Sequence, residues 1–120
     1  MQKMRLGAIE SRFADIIWAN EPLSSRELVQ LCEKELGWKP TTTYTVLKRL
    51  SEGGIFQNVK GTVTSQISRR DYYALQSEKF VEDAFEGSLP AFIAAFTTRK
   101  AVSPQDIEEI RRIFEAYKEV

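Results

Sequence analysis

The sequence contains no histidine and a single cysteine, Cys32. These absences remove the ordinary N/S ligand set for zinc, the commonest neutral-pH general base and any internal disulfide framework. No paired acids sit beside a Gly-rich loop or a nucleophile elbow. An enzyme is therefore not expected, nor a cofactor or a metal site. No run of ~18 apolar residues occurs and no signal peptide is recognisable, so membrane insertion and secretion are not expected. A reducing cytoplasm fits. Cys32 falls on the apolar stripe of an expected helix, as a buried thiol. There is no internal repeat or low-complexity tract, and no net charge.

What is present suffices for a core. The 120 residues are 42% apolar and 11% aromatic, enough for one domain or a small domain with an appendage. The zero charge hides an asymmetry. Residues 1–70 carry 11 Lys and Arg against 7 Asp and Glu, a net of +4. Residues 71–120 carry 6 against 10, a net of −4. Between Trp38 and Arg70 stand six bases and one acid, Glu52. A basic first part and an acidic tail suggest a nucleic-acid face and a separate module turned away from phosphate.

Apolar spacing places a first helix over about Ala8 to Ala19, with Ile9, Phe13, Ile16 and Ile17 on one face. Pro22 stops it. A second helix opens on a Ser24–Glu27 capping box, carries Leu28, Leu31, Cys32 and Leu36, and ends at Gly37. A third begins near Pro40. Thr43, Val46, Leu47 and Leu50 share its apolar face, and Gly53-Gly54 ends it. Its opposite face is Thr41, Thr45, Lys48 and Glu52, flanked by Thr42, Tyr44 and Arg49. A face that only needed solubility would carry fewer Thr, a mediocre helix former.

A hairpin follows, Ile55 to Val59 and Val63 to Ile67, with Lys60-Gly61 at the turn. Ser68-Arg69-Arg70-Asp71 then opens a helix reaching about Phe85. A short apolar helix spans about Ser88 to Phe96, and Ser103 caps a last one. The fold class expected is mainly α with a small β wing. A winged helix-turn-helix fills residues 1–70, and a helical dimerisation region fills residues 71–120.

In such a fold the third helix enters the major groove of double-stranded DNA and the hairpin lies over the backbone. Thr41, Thr42 and Thr45 can bond phosphates or base edges, and a Thr methyl can touch a thymine methyl. Lys48 can reach a guanine edge or a phosphate. Lys39 and Lys60 are placed for phosphate, which fixes register. Arg49 either meets phosphate or pairs with Asp15 or Glu52 as scaffold. Tyr44 is read as an edge contact with the duplex, against partial burial beside the turn between helices. Trp18 and Trp38 are read as core.

The second expected surface is Phe80, Phe85, Leu89, Phe92, Ile93, Phe96, Ile107, Ile110, Ile113, Phe114 and Tyr117. Helices this short do not close a core of that content alone. A homodimer buries the surface and sets two reading helices about one DNA turn apart, or more, for a palindrome. The alternatives are helices folded back on the winged helix, and a winged helix used only for protein interaction.

The run Trp38-Lys39-Pro40-Thr41-Thr42-Thr43-Tyr44-Thr45-Val46-Leu47-Lys48-Arg49-Leu50, with Gly54 beyond, resembles the recognition-helix signature of the penicillinase-repressor family. Glu10, Ile17-Trp18, Ser68-Arg69-Arg70-Asp71-Tyr72, Phe85-Glu86-Gly87-Ser88 and Ser103 to Ile113 extend the resemblance over nearly the whole chain. It implies a homodimeric transcriptional repressor of a resistance or stress-response operon, acting on a palindromic operator. A membrane sensor protease is then a candidate partner. Three departures stand out. The paired C-terminal Cys motifs of copper-responsive members are absent. Phe96 aligns with the Phe of the Asn-Phe bond cleaved in drug-responsive members, but Ala95 replaces the Asn, which puts release by proteolysis in question. Gly7 replaces the usual polar cap of the first helix and is expected to let its start fray.

Overall fold

The computed structural model describes residues 5–118. Among these, the elements run α1 (Ala8–Asn20), β1 (Leu23–Ser24), α2 (Ser25–Leu36), α3 (Pro40–Glu52), β2 (Phe56–Val59), β3 (Thr62–Ser65), α4 (Arg69–Phe85), α5 (Leu89–Arg99) and α6 (Pro104–Lys118). The chain divides into two compact units, Met1–Ser77 and Glu78–Val120. The first is a winged helix.

Local chemistry starts and stops its helices. The Ser24 hydroxyl accepts from the Glu27 N–H at 3.0 Å, and Glu27 Oε1 accepts in return from the Ser24 N–H at 3.3 Å. Gly37 ends α2 with φ +68°, a left-handed position that costs glycine nothing. Pro40 occupies the first turn of α3. The start of α1 is held by another route than a polar cap. Glu10 Oε1 accepts from the Gly7 N–H at 2.9 Å, and the Ser11 hydroxyl donates to the Gly7 carbonyl at 2.9 Å. The expected loss of order at Gly7 is thus countered from inside the helix.

The helices bury Phe13, Ala14 and Ile17 of α1, Leu28 and Cys32 of α2, and Thr43, Val46, Leu47 and Leu50 of α3. Full burial of each large side chain is worth about 1.5–3 kcal/mol. Ile9, expected on the buried face, is 45% exposed, and Leu6 packs against the core at the start of α1 instead. Trp38 stacks on Phe13, ring centres 5.4 Å apart. Trp18 leans on Phe56 and Tyr72 and donates its indole N–H to the Ile67 carbonyl at 3.0 Å. Both tryptophans are structural.

The sheet has three strands, not the two of a simple hairpin. Its order is β1-β3-β2, all antiparallel. β1 has two residues, too few for alternation to show. Leu23 pairs with Val63, and both are buried. The hairpin strands are shorter than expected. Ile55 leaves the ladder to enter the core, and Gln66 returns to it through an N–H to the Ile55 carbonyl at 2.7 Å. The Glu21 carboxylate accepts from the N–H and hydroxyl of Ser65, each at 2.8 Å, fastening the wing to the loop after α1.

In the second unit Ser88 and Ser103 cap α5 and α6 by accepting from the N–H of Ala91 and Asp106. Ser68 does the same for Asp71 at the start of α4. α5 runs three residues past its expected end. The added residues include Thr97 and Thr98, whose hydroxyls are taken up by the carbonyls of Ile93 and Ala94 within the helix. Phe80, Phe85, Phe92 and Phe96 meet edge-on or tilted, with ring centres 5.6–6.4 Å apart. No residue of α5 or α6 is buried. No helix among the described residues is long and apolar enough to cross a membrane.

Candidate nucleic-acid interface

The second helix of the helix-turn-helix pair is α3. Its apolar residues are buried and the helix packs on α2 and β2, so its remaining face is left outward. On that face Thr41, Thr42, Tyr44, Thr45, Lys48, Arg49 and Glu52 are all exposed, with Lys39 at the helix start. The Thr45 hydroxyl donates to the Thr41 carbonyl at 2.8 Å. That bond turns the Thr45 oxygen to the helix as donor and leaves its lone pairs and methyl for a partner.

The wing sits close by. Lys60 and Gly61 form its tip, both at positive φ (+51° and +83°), and Lys60 is exposed. The Gly61 carbonyl accepts from the Ser25 N–H at 2.8 Å, tying the wing tip to the start of α2. The Tyr44 hydroxyl donates to Ser25 Oγ at 3.4 Å, tying α3 to the same point. Tyr44 is therefore fixed at its tip and 46% exposed along its ring. Neither sequence-based reading of Tyr44 included this anchor, because Ser25 looked like an ordinary first-turn residue.

Arg49 resolves differently from either scaffold partner expected for it. Its guanidinium pairs with Glu10 of α1, whereas Asp15 takes Arg69 at 2.9 Å. Glu10 thus holds α3 with one oxygen and the start of α1 with the other. About half of the Arg49 side chain stays exposed. Arg12 adds a further brace, donating to the Glu35 carbonyl near the end of α2.

Two titratable groups, Cys32 and Tyr72, are buried in the core of this unit. Burial pushes the Cys32 thiol above its ordinary value, with the Thr43 hydroxyl beside it partly opposing the shift. Tyr72 is also pushed up by burial, while its hydroxyl accepts from the Leu6 N–H at 2.9 Å. Among the described residues no group of His, Cys, Asp and Glu is arranged to hold a metal.

Two polar residues on this surface, Asn58 and Ser51, were missed in the sequence. Asn58 of β2 joins Tyr44, Leu47, Lys48 and Ser51 around a cleft between α3 and the wing. Nothing local singles Asn58 out, since the polar Gln57 stands beside it in the strand.

In the second unit Phe80, Leu89, Ile93, Phe96, Ile107, Ile110, Ile113, Phe114 and Tyr117 are exposed, while Phe85 and Phe92 are half-buried. α5 and α6 border a largely apolar groove of about 470 Å³ whose walls include Phe92, Phe96, Ile110 and Ile113.

Comparison with known proteins agrees with this architecture. The family model described as penicillinase repressor matches residues 6–116. A penicillinase repressor of Bacillus licheniformis is 27% identical over 107 residues, covering 86% of this chain and 84% of that relative. The methicillin resistance regulatory protein MecI of Staphylococcus aureus strain Mu50 is 23% identical over 112 residues, covering 90% and 91%. MecI of Mammaliicoccus sciuri is 22% identical with the same coverage.

Proposed function

Because the chain belongs to the penicillinase repressor family, a family of transcriptional regulators rather than enzymes, we propose that it represses transcription as a homodimer bound to a palindromic operator of a resistance or stress-response operon. The observation that carries this reading is the outward face of α3, with three exposed threonines and Lys48 beside a basic wing tip. Thr41, Thr42 and Thr45 meet base edges. Lys39 and Lys60 meet phosphates and set the register. Arg49, already braced by Glu10, offers its free edge to the backbone.

The apolar surface of α5 and α6 supports pairing of two copies. Side chains such as Ile113 (65% exposed) and Tyr117 (79%) leave much apolar area in water, which a second copy would cover. Ala95 and Phe96 lie inside α5. A protease acts on extended chain, so this segment would have to unwind before a membrane sensor protease could cut it.

The test is a titration of the full chain against a duplex from its own promoter and a scrambled duplex of equal length, at ~150 mM salt. Preference for the promoter is expected. Equal affinity for the two would remove sequence-specific repression, because phosphate attraction alone does not distinguish them.

A further inference from the structure

The cleft between α3 and β2 has a volume of about 380 Å³ and is lined by Tyr44, Leu47, Lys48, Ser51 and Asn58. No carboxylate lines it. Lys48 supplies positive charge, and the Asn58 amide and Ser51 hydroxyl supply neutral donors. Two of these groups have no side-chain hydrogen-bond partner among the described residues. Ser51 Oγ is buried without a hydrogen-bond partner, whereas the large majority of buried side-chain polar atoms have one. Asn58 stands opposite Val63 in the ladder and shares its face of the sheet, but Val63 is buried whereas Asn58 is exposed at the mouth of the cleft. Its amide takes no partner among the described residues.

We propose that this cleft seats one phosphodiester of the duplex backbone, held by Asn58 and Lys48 with Ser51 at its floor. The inference rests on the duplex-binding reading above. A helix in the major groove and a wing over the backbone must straddle a sugar–phosphate strand, and the space between α3 and β2 is where that strand passes. Two consequences follow for the interface. Asn58 joins the residues that set register. Lys48, which the sequence left between a guanine edge and a phosphate, is assigned to phosphate and carries no sequence information.

Fluorescence anisotropy of the full chain on the promoter and scrambled duplexes, across a salt series, tests this. Asn58→Ala is expected to weaken both duplexes alike, about five- to tenfold, with the salt slope unchanged because Asn carries no charge. Lys48→Ala is expected to weaken both and to lower the slope by about one. Ser51→Ala should cost about threefold in affinity with no fall in melting temperature, since its hydroxyl has no protein partner to lose and its burial unpaired is a cost to the fold. Replacing promoter linkages one at a time by uncharged methylphosphonate should reveal one at which the Asn58→Ala loss disappears. If Asn58→Ala and Lys48→Ala bind like the wild type, the seat is wrong and the duplex reading stands. If Lys48→Ala weakens the promoter alone, Lys48 reads a base and the seat is also wrong. A wild type that binds neither duplex would overturn the seat and the proposed function together.

Discussion

Glu10 acts through both of its carboxylate oxygens. One accepts the Gly7 N–H at the start of α1, and the other pairs with Arg49 on α3. Glu10→Ala should therefore remove a helix-end bond and a half-exposed ion pair at once. The expected loss is about 1–2 kcal/mol in urea unfolding, most of it from the helix end, since exposed pairs contribute little. Glu10→Gln should recover most of that loss because an amide oxygen still accepts from Gly7. A Glu10→Gln protein as unstable as Glu10→Ala would show that the ion pair dominates. Cys32 and Tyr72 give a pH expectation. Both are buried and both are pushed above their ordinary values. The fold holds their neutral forms, so their contribution is complete below the unfolded values of about 8.5 and about 10. Stability should fall as pH rises through and beyond these values, because the unfolded chain ionises first. Urea midpoints measured from pH 7 to 11 check this, and a flat profile would contradict it. The pairing of Arg49 was illegible in the sequence for a simple reason. Glu10 lies 39 residues away, and only the tertiary fold, with α1 and α3 both packed on α2, brings the two together.

The elements were legible where their signals are local. The Ser24–Glu27 box, Gly37, Pro40 and the capping serines each act within a few residues, and each does in the structure what its position suggests. What the sequence concealed is set by tertiary contact. β1 has only two residues and exists because Leu23 pairs with Val63. α5 runs on to Arg99, past the last apolar residue of its pattern, with its threonine hydroxyls bonded back along the helix. The contact surface of α3 follows from its apolar period, but the Ser25 anchor of Tyr44 and the place of Asn58 depend on how the wing meets the helix. At this scale α3 and the wing are expected to separate in their effects. Lys60→Ala should weaken promoter and scrambled duplexes about equally and lower the salt slope by about one. Thr45→Ala should weaken the promoter by about three- to tenfold and the scrambled duplex hardly at all, narrowing the gap between them. Equal losses on both duplexes for Thr45→Ala would mean that this face of α3 does not read bases.

For the whole molecule the division of labour appears in where apolar surface goes. The first unit buries its large side chains around Phe13, Ile17, Leu28 and Leu50, whereas α5 and α6 bury none of theirs. The sequence showed that surplus as a dense apolar count in a short segment, which is why pairing was expected before any coordinate. Ile113 is 65% exposed in the single chain, so Ile113→Glu should leave the fold intact. It should lower the mass in sedimentation from that of a pair to 13.8 kDa. A wild type that sediments as a single chain at high concentration would remove pairing. The division of the chain also has a physical basis. Composition changes at Ser68–Asp71, but the first turns of α4 still serve the winged helix, because Tyr72 is buried there against Trp18. The compact units accordingly part at Ser77.

The central claim, that paired copies read a specific duplex through α3, is met most directly by footprinting the chain's own promoter with nuclease. Two protected half-sites are expected, related by two-fold symmetry and spaced one helical turn of about 10–10.5 base pairs or a whole multiple of it. Protection that is uniform along the fragment, or confined to one half-site at saturation, would contradict the account.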